Sequence, residues 1–392
     1  MRQILRKAWQ RGRAFVPVQG FAFGRPLVVL QSDDWGRVGL RDRDGWEQVQ
    51  RIVSNLGERA YDFYSLETAE DVAALASLLG RHRDSTGRPA CLGMNFIMAN
   101  VDFAKVVADD FRQIYLRPLT EGLPNGWERS GLFEAYRAGI ERRVFSPALH
   151  GTTHFCRPPV ERTLPDPGER GVLLRGLWQA GVPYIHWRMP WIGFEYWDPG
   201  LPEEERFLSR DAQETLIFSA VTTFTEFFSR SPRSACAPGY RANNATQGAW
   251  AKCGIRVAQN GSGGGMVPHF DPNGILQLYR AIDFEPAGEQ QFSLSACIER
   301  AEECFARGLP AIVSIHSINF HSTIRDFRTR TLELLDEFLG ALESRHADLL
   351  YVDDEDLCDL VEEGKIDSLR SAAKVQVTKR MFRPVFGLRR GA

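Results

Sequence analysis

The stretch 26–37, "PLVVLQSDDWGR", is where the reading of the fold begins. Leu27 to Leu30 form an unbroken apolar run, the pattern of a short strand covered on both faces. The chain then breaks into Ser32, Asp33, Asp34, Trp35 and Gly36. Adjacent carboxylates at the end of a core strand repel each other and lose hydration, so they need a cationic partner. Asp and Gly are also ordinary turn residues, and on this stretch alone a turn is the simplest account.

Working outward, apolar residues recur at helical spacing over 43–56, 65–83, 130–144, 210–230, 245–254, 294–308 and 329–346. Between them, the stretches 90–100, 145–151, 234–240, 255–260, 309–317 and 349–356 read as strands. This alternation predicts an α/β chain, a parallel sheet or barrel with helices outside. In such folds the chemistry gathers at the carboxyl ends of the strands, and Asp33 and Asp34 lie at one such end. Residues 155–207, rich in Pro and aromatics, and the Gly-rich loop 260–276 read as insertions. The run "NGSGGG" lacks the Gly-Lys-Ser/Thr ending of a phosphate loop.

The 392 residues, 43% hydrophobic and 25% charged, suit one large domain with insertions, or two domains. Seven scattered cysteines without a CxxC argue against a disulfide framework or a cysteine-zinc site and point to a reducing compartment. Net charge is -2 but unevenly placed: the first 32 residues hold six basic residues and no acid, and the tail from Lys365 holds eight against Asp367 alone. The middle is therefore acidic, which disfavours nucleic-acid binding. No stretch has the length of a membrane span and the N-terminus lacks an apolar signal core, so a cytoplasmic chain is expected.

The expected organisation is a basic amphipathic segment over 1–24, a barrel domain over 25–364 and a basic tail over 365–392. In the first segment Ile4, Leu5, Ala8 and Trp9 share a helical face edged by Arg2, Arg6, Lys7, Arg11 and Arg13. Met381, Phe382, Val385 and Phe386 repeat the theme in the tail. Such ends suit reversible contact with an anionic membrane face, or a solvated end, or docking on the acidic domain.

Other strand ends carry partners for the carboxylates. "FSPALHGTTHF" places His150 and His154 four apart after a strand, a spacing that on a helical turn grips one divalent metal. "AIVSIHSINFH" puts His316 at the end of another, and "SACAPGYRANN" ends in a Pro-Gly-Tyr turn beside Arg241. With this set the sequence resembles the polysaccharide deacetylases of carbohydrate esterase family four, which share the chitooligosaccharide deacetylase homology domain. Their signature runs Asp-Asp-Gly-like, His-x-x-x-His, Arg-x-Pro-Tyr-like and apolar-x-His. Here "SDDWG", "HGTTH", "CAPGY" and "SIH" follow in that order across 25–360.

The resemblance implies a distorted (β/α) barrel of the polysaccharide deacetylase type with insertions. It implies a divalent metal, usually zinc, held by Asp34, His150 and His154. Asp33 would be the general base toward the attacking water, and His316 the acid that protonates the leaving amine. The activity implied is removal of an N-acyl group, chiefly acetyl, from an amino sugar. The two basic-apolar ends add a further expectation: the substrate would be a glycan or lipid-linked glycan precursor of cell-surface polysaccharide biosynthesis, met in the cytoplasm at the inner membrane face.

Two residues depart from the family pattern. Trp35 stands before Gly36, placed to narrow the substrate approach or to pack beneath it. Cys236 occupies the position of the third motif's Arg, which pairs with the base, and Arg241 is expected to take over that pairing. The Tyr240 turn is expected to offer backbone amides to the developing oxyanion. Tyr184, Trp187, Trp191, Phe194, Tyr196 and Trp197 read as a sugar-stacking wall, or as a satellite core under the insertion. Tyr240, Trp35, Trp187 and Trp191 are the expected substrate contacts. The missing Arg keeps open a carbohydrate-binding or regulatory protein on a degenerate deacetylase scaffold, and a separate alternative is the same hydrolytic chemistry on a non-sugar amide.

Overall fold

The computed structural model describes residues 18–185, 189–262, 266–288, 290–366 and 373–382. The opening apolar run forms a strand, Leu27–Trp35, buried along its whole length. It follows Val18–Phe23, and these two are β1 and β2. Next come Leu92–Phe96 (β3), Phe145–Leu149 (β4), Ser234–Cys236 (β5), Val257–Asn260 (β6), His269–Phe270 (β7) and Leu276–Tyr279 (β8). Ile282–Asp283 (β9), Ala311–His316 (β10), Leu350–Tyr351 (β11) and Val377–Phe382 (β12) complete the set used below. The main sheet runs β9-β10-β2-β3-β4-β5-β6-β8-β7, with β11 also on β2. Its neighbours are parallel except β7 with β8.

Only Arg280 and Ala281 separate β8 from β9, which lie toward opposite ends of that order. The Arg280 amide donates to Asn260 O on β6 at 3.1 Å, and the Ala281 amide donates to Ile312 O on β10 at 2.9 Å. The segment 276–283 is therefore one kinked strand that bonds β6 with its first half and β10 with its second. Closure comes from chain continuity, and Arg280 sits at the kink.

Helices cover the outside. Ala69–Leu79 begins at Thr68, past Ser65, because Thr68 and Asp71 bond each other's amides reciprocally. Asp354–Glu363 is capped by Asp353 and stopped by Gly364 in the left-handed region. The stretch 155–207 contains the helices Arg157–Thr163 and Glu169–Gln179. Its Trp178, Trp191 and Tyr196 are buried in the main core.

At the other face of the barrel, β1 pairs antiparallel with β12, Val18 opposite Phe382. The Phe21 amide also bonds Pro268 O, and the Phe23 amide bonds Gly308 O. Residues 18–23 and 377–382 of the two basic ends are thus part of the fold, with Phe21, Phe23 and Phe382 buried. The residues proposed for membrane contact in 1–17, and Val385 and Phe386, lie outside the described residues. No helix among the described residues is long and apolar enough to cross a membrane.

Candidate active site

In a regular strand, consecutive side chains point to opposite faces, so Asp33 and Asp34 should diverge. They do not, because the β2-β3 register shifts between Ser32 and Trp35, and Asp34 takes φ of 77°. A left-handed non-glycine residue at a bulge re-aims its side chain. Both carboxylates thereby face one site, and both are buried.

Asp33 is saturated. Arg280 grips it with two bonds of 2.6 Å, one to each oxygen, and Asn95 and Tyr240 add donors at 2.7 and 3.1 Å. Burial opposes its charge, but Arg280, helped by His316, holds the carboxyl well below the usual range. Arg280 is itself braced by Gln31, Ser314 and Gln259. Those amides lead down the barrel interior to Ser234 and Asp354, a polar network that fixes the guanidinium. Arg241 lies elsewhere, its guanidinium 4.8 Å from the centre of the Trp197 ring. The pairing expected of Arg241 is thus made by Arg280, because closure of the barrel delivers Arg280 beside Cys236.

Asp34 is treated differently. Burial again opposes its charge, and Arg37, with His154, lowers the carboxyl well below its ordinary value. Arg37 bonds Oδ2 at 3.1 Å and lies over the Tyr64 ring, 3.8 Å from its centre. Oδ1, however, is buried with no hydrogen-bond partner. It faces His154 Nε2 at 3.0 Å and His150 Nε2 at 3.6 Å. His150 Nδ1 lies 2.9 Å from Cys236 O, which only accepts, so Nδ1 carries the proton and the neutral ring turns a lone pair on Nε2 toward Asp34. An oxygen and a nitrogen lone pair facing each other in a dry site call for a cation between them. Asp34, His150 and His154 are therefore a buried group suited to a divalent metal. Asp33, His150 and Cys236 form a second such cluster. It is the weaker one, since the Asp33 oxygens are taken and burial pushes the Cys236 thiol well above its usual range.

The loop "HGTTH" is locked from the insertion. Buried Glu195 accepts the amides of Thr152 and Thr153 at 2.9 and 2.8 Å. Gly151, at φ of 84°, is required there, because a Cβ would lie 2.0 Å from Glu195 Oε2.

His316, at the end of β10, sits with Nε2 3.9 Å from Asp33 Oδ2. Its Nδ1 bonds Glu285 at 2.6 Å, and Asn319 holds the other Glu285 oxygen. Burial works against a charged ring, but Glu285 overrides it and the pKa is pushed up to about 9. A cleft of about 800 Å³ opens over His316, with Tyr61, Tyr240 and Phe292 on its walls.

The remaining expected contacts divide. Trp35 is fully buried, stacked on Phe320 and bonded to Ser32, so it packs beneath the site and does not line it. Trp191 is core, and Trp187 lies outside the described residues. Tyr240 borders the cleft, but its hydroxyl contacts Asp33 and Arg280 while its amide bonds Ala237 O, so that amide serves the turn. Arg280, Arg37, Glu285 and Glu195 are the site residues that the motifs alone do not single out.

Fold and site together define a closed (β/α) barrel with a buried Asp-His-His group at the carboxyl ends of its strands. No family model and no curated protein matches the chain. Among solved structures it is similar to a protein assigned as a polysaccharide deacetylase from Mycobacterium smegmatis, at 12% identity and a TM-score of 0.45, over 88% of this chain and 93% of that one. A second, so assigned from Pseudomonas aeruginosa PAO1, matches at 11% identity and 0.46, over 86% and 92%. A CE4 family pseudoenzyme from Bacillus anthracis matches at 10% identity and 0.38, over 86% and 66%.

Proposed function

We propose that this chain is a metal-dependent hydrolase that removes an N-acyl group, chiefly acetyl, from an amino sugar of a glycan. The observation that carries this reading is the orphaned Asp34 Oδ1 facing two imidazole nitrogens, with the neighbouring Asp33 carboxylate 3.9 Å from the His316 ring. A divalent metal, for which we propose zinc, supplies Lewis-acid polarisation of the acyl carbonyl and of water when held by Asp34, His150 and His154.

The chain's own groups do the rest. Asp33, fixed by Arg280, receives the proton that water loses as oxygen adds to the acyl carbon. His316, kept charged by Glu285, gives its proton to the amine nitrogen as the C-N bond breaks. The products are a carboxylate and a free amine. We extend the proposal to lipid-linked glycan precursors at the inner membrane face, on the strength of the basic ends. Sedimentation with anionic and neutral vesicles tests that extension, and equal recovery with both would leave a plainly cytosolic enzyme. Acetate release from a panel of N-acetyl sugars and simple amides, with metal analysis of the same preparation, tests the main reading. Release from the amides alone would move it to a non-sugar amidase.

One observation favours a binding or regulatory protein on a degenerate scaffold. Each carboxylate already has a buried arginine, Arg280 on Asp33 and Arg37 on Asp34, so both charges are compensated by the chain itself. On that reading the purified protein holds little metal and releases no acetate.

A further inference from the structure

A second cavity, of about 640 Å³, adjoins the catalytic cleft. Gly288 lines both, and Pro286 of the second cavity directly follows the Glu285 of the first that bonds His316. The two cavities carry opposite charge. The catalytic cleft is bordered by Asp283, Glu285, Glu299 and Glu303, and its Arg300 is tied to Glu303 at 2.6 Å. The second is bordered by Arg59, Arg325 and Arg330.

Two acids, Glu58 and Asp326, also border the second cavity, so its arginines exceed its carboxylates by one. Asp326 accepts from the Thr329 amide and hydroxyl at the start of the helix Arg328–Arg345, bonds that hold its carboxyl below the usual range. Glu58 accepts from Asn55. Among the described residues no carboxylate lies within ion-pair distance of Arg59 or Arg325, and Arg330 reaches only Glu333, at 3.6 Å. Arg325 sits over two rings, 5.3 Å from the centres of Phe63 and Phe327. A guanidinium held on aromatic faces keeps its planar N-H fork for an acceptor, and that fork matches the oxygens of a carboxylate or a phosphate.

We infer that this cavity binds an anionic group, a carboxylate or phosphate, carried by the substrate next to the acylated amino sugar. The carrier's identity rests on the deacetylase reading; the anion site itself does not. An anion is repelled from the Asp283 to Glu303 side and held at the Arg59 to Arg325 side, so the charge asymmetry also sets the direction in which a glycan lies across His316.

The test is calorimetric titration of the full chain with inorganic pyrophosphate, methyl glucuronide and neutral methyl glucoside, at low and high salt. The wild type is compared with the double variant Arg59→Gln, Arg325→Gln. The expected result is salt-sensitive binding of an anion, none of the neutral sugar, and at least a tenfold loss in the double variant. Both side chains are exposed, so an unchanged melting temperature is expected. The double Lys replacement, which keeps the charge and loses the fork, should bind at an intermediate level. Whichever anion binds more tightly identifies the source. No anion binding by the wild type, or equal affinity in the double Gln variant, overturns the inference. Hydrolysis of a small neutral N-acetyl sugar is unaffected by the variant, so anion binding without any hydrolysis would sink the proposed activity and leave the anion site standing.

Discussion

Asp33 and Asp34 are covalent neighbours with the same side chain, both buried and both facing an arginine, yet their surroundings differ by one donor set. Asp33 meets four hydrogen bonds, from Arg280, Asn95 and Tyr240. Asp34 has Arg37 on one oxygen and nothing bonded to the other. A saturated carboxylate is held as a fixed charge, whereas a half-satisfied one in a dry site is a ligand awaiting a cation. The arginines also come from different distances: Arg37 lies within the same turn, while Arg280 arrives only when β8 and β9 close the barrel. One half of the site is local, and the other depends on the whole fold.

The largest effect should come from breaking the long-range half. Arg280→Ala leaves Asp33 buried and uncompensated, at a cost of about 3–5 kcal/mol. Turnover should fall by a factor on the order of 10²–10⁴, as for losing a positioned base. Arg241→Ala removes the contacts with the Phe194 and Trp197 rings and should cost under about 1 kcal/mol. Denaturant melts and acetate release on the pair measure this directly. Equal effects would mean that Arg280 is not the partner that matters.

The local half sharpens next. Glu195→Gln keeps the shape of the lock on Thr152 and Thr153 but weakens its acceptors. Metal affinity should drop by about 10–100-fold, the usual cost of losing a residue that orients ligands. Competition with a chromogenic chelator reads it, and an unchanged affinity would leave Glu195 a purely structural residue.

A smaller effect concerns the acid. With His316 pushed up to about 9, its charged form is present at neutral pH and is lost as pH rises through about 9, so activity should fall there. Glu285→Gln removes the partner that raises it, and the alkaline limb should move down toward the ordinary value near about 6.5. A limb that stays in place would assign the acid to another group.

Much of the local half is legible in the sequence. Asp33, Asp34, His150, His154 and His316 each follow a short apolar strand, so their position at the carboxyl ends of the sheet can be read from the pattern. Arg280 cannot be read this way. It sits between strands of four and two residues, after a Gly-rich stretch, with no apolar run long enough to announce a strand. The sequence distance from Asp33 likewise hides the pairing, which only closure makes. Aromatic content misleads for a related reason: Trp35 and Trp191 are as apolar as a sugar wall requires, but composition does not tell which face a ring presents. Tyr240 shows the same limit, since its turn is visible in "PGY" while the use of its amide within that turn is not.

The central claim, that one aspartate holds a metal and its neighbour does not, is tested most directly by metal stoichiometry. The wild type, Asp34→Asn and Asp33→Asn would be purified, loaded with zinc, freed of excess and analysed for bound metal. The account predicts a stoichiometric metal in the wild type and in Asp33→Asn, whose turnover alone should collapse, and loss of metal in Asp34→Asn. Metal retained by Asp34→Asn and lost by Asp33→Asn, or absent from the wild type, would contradict it.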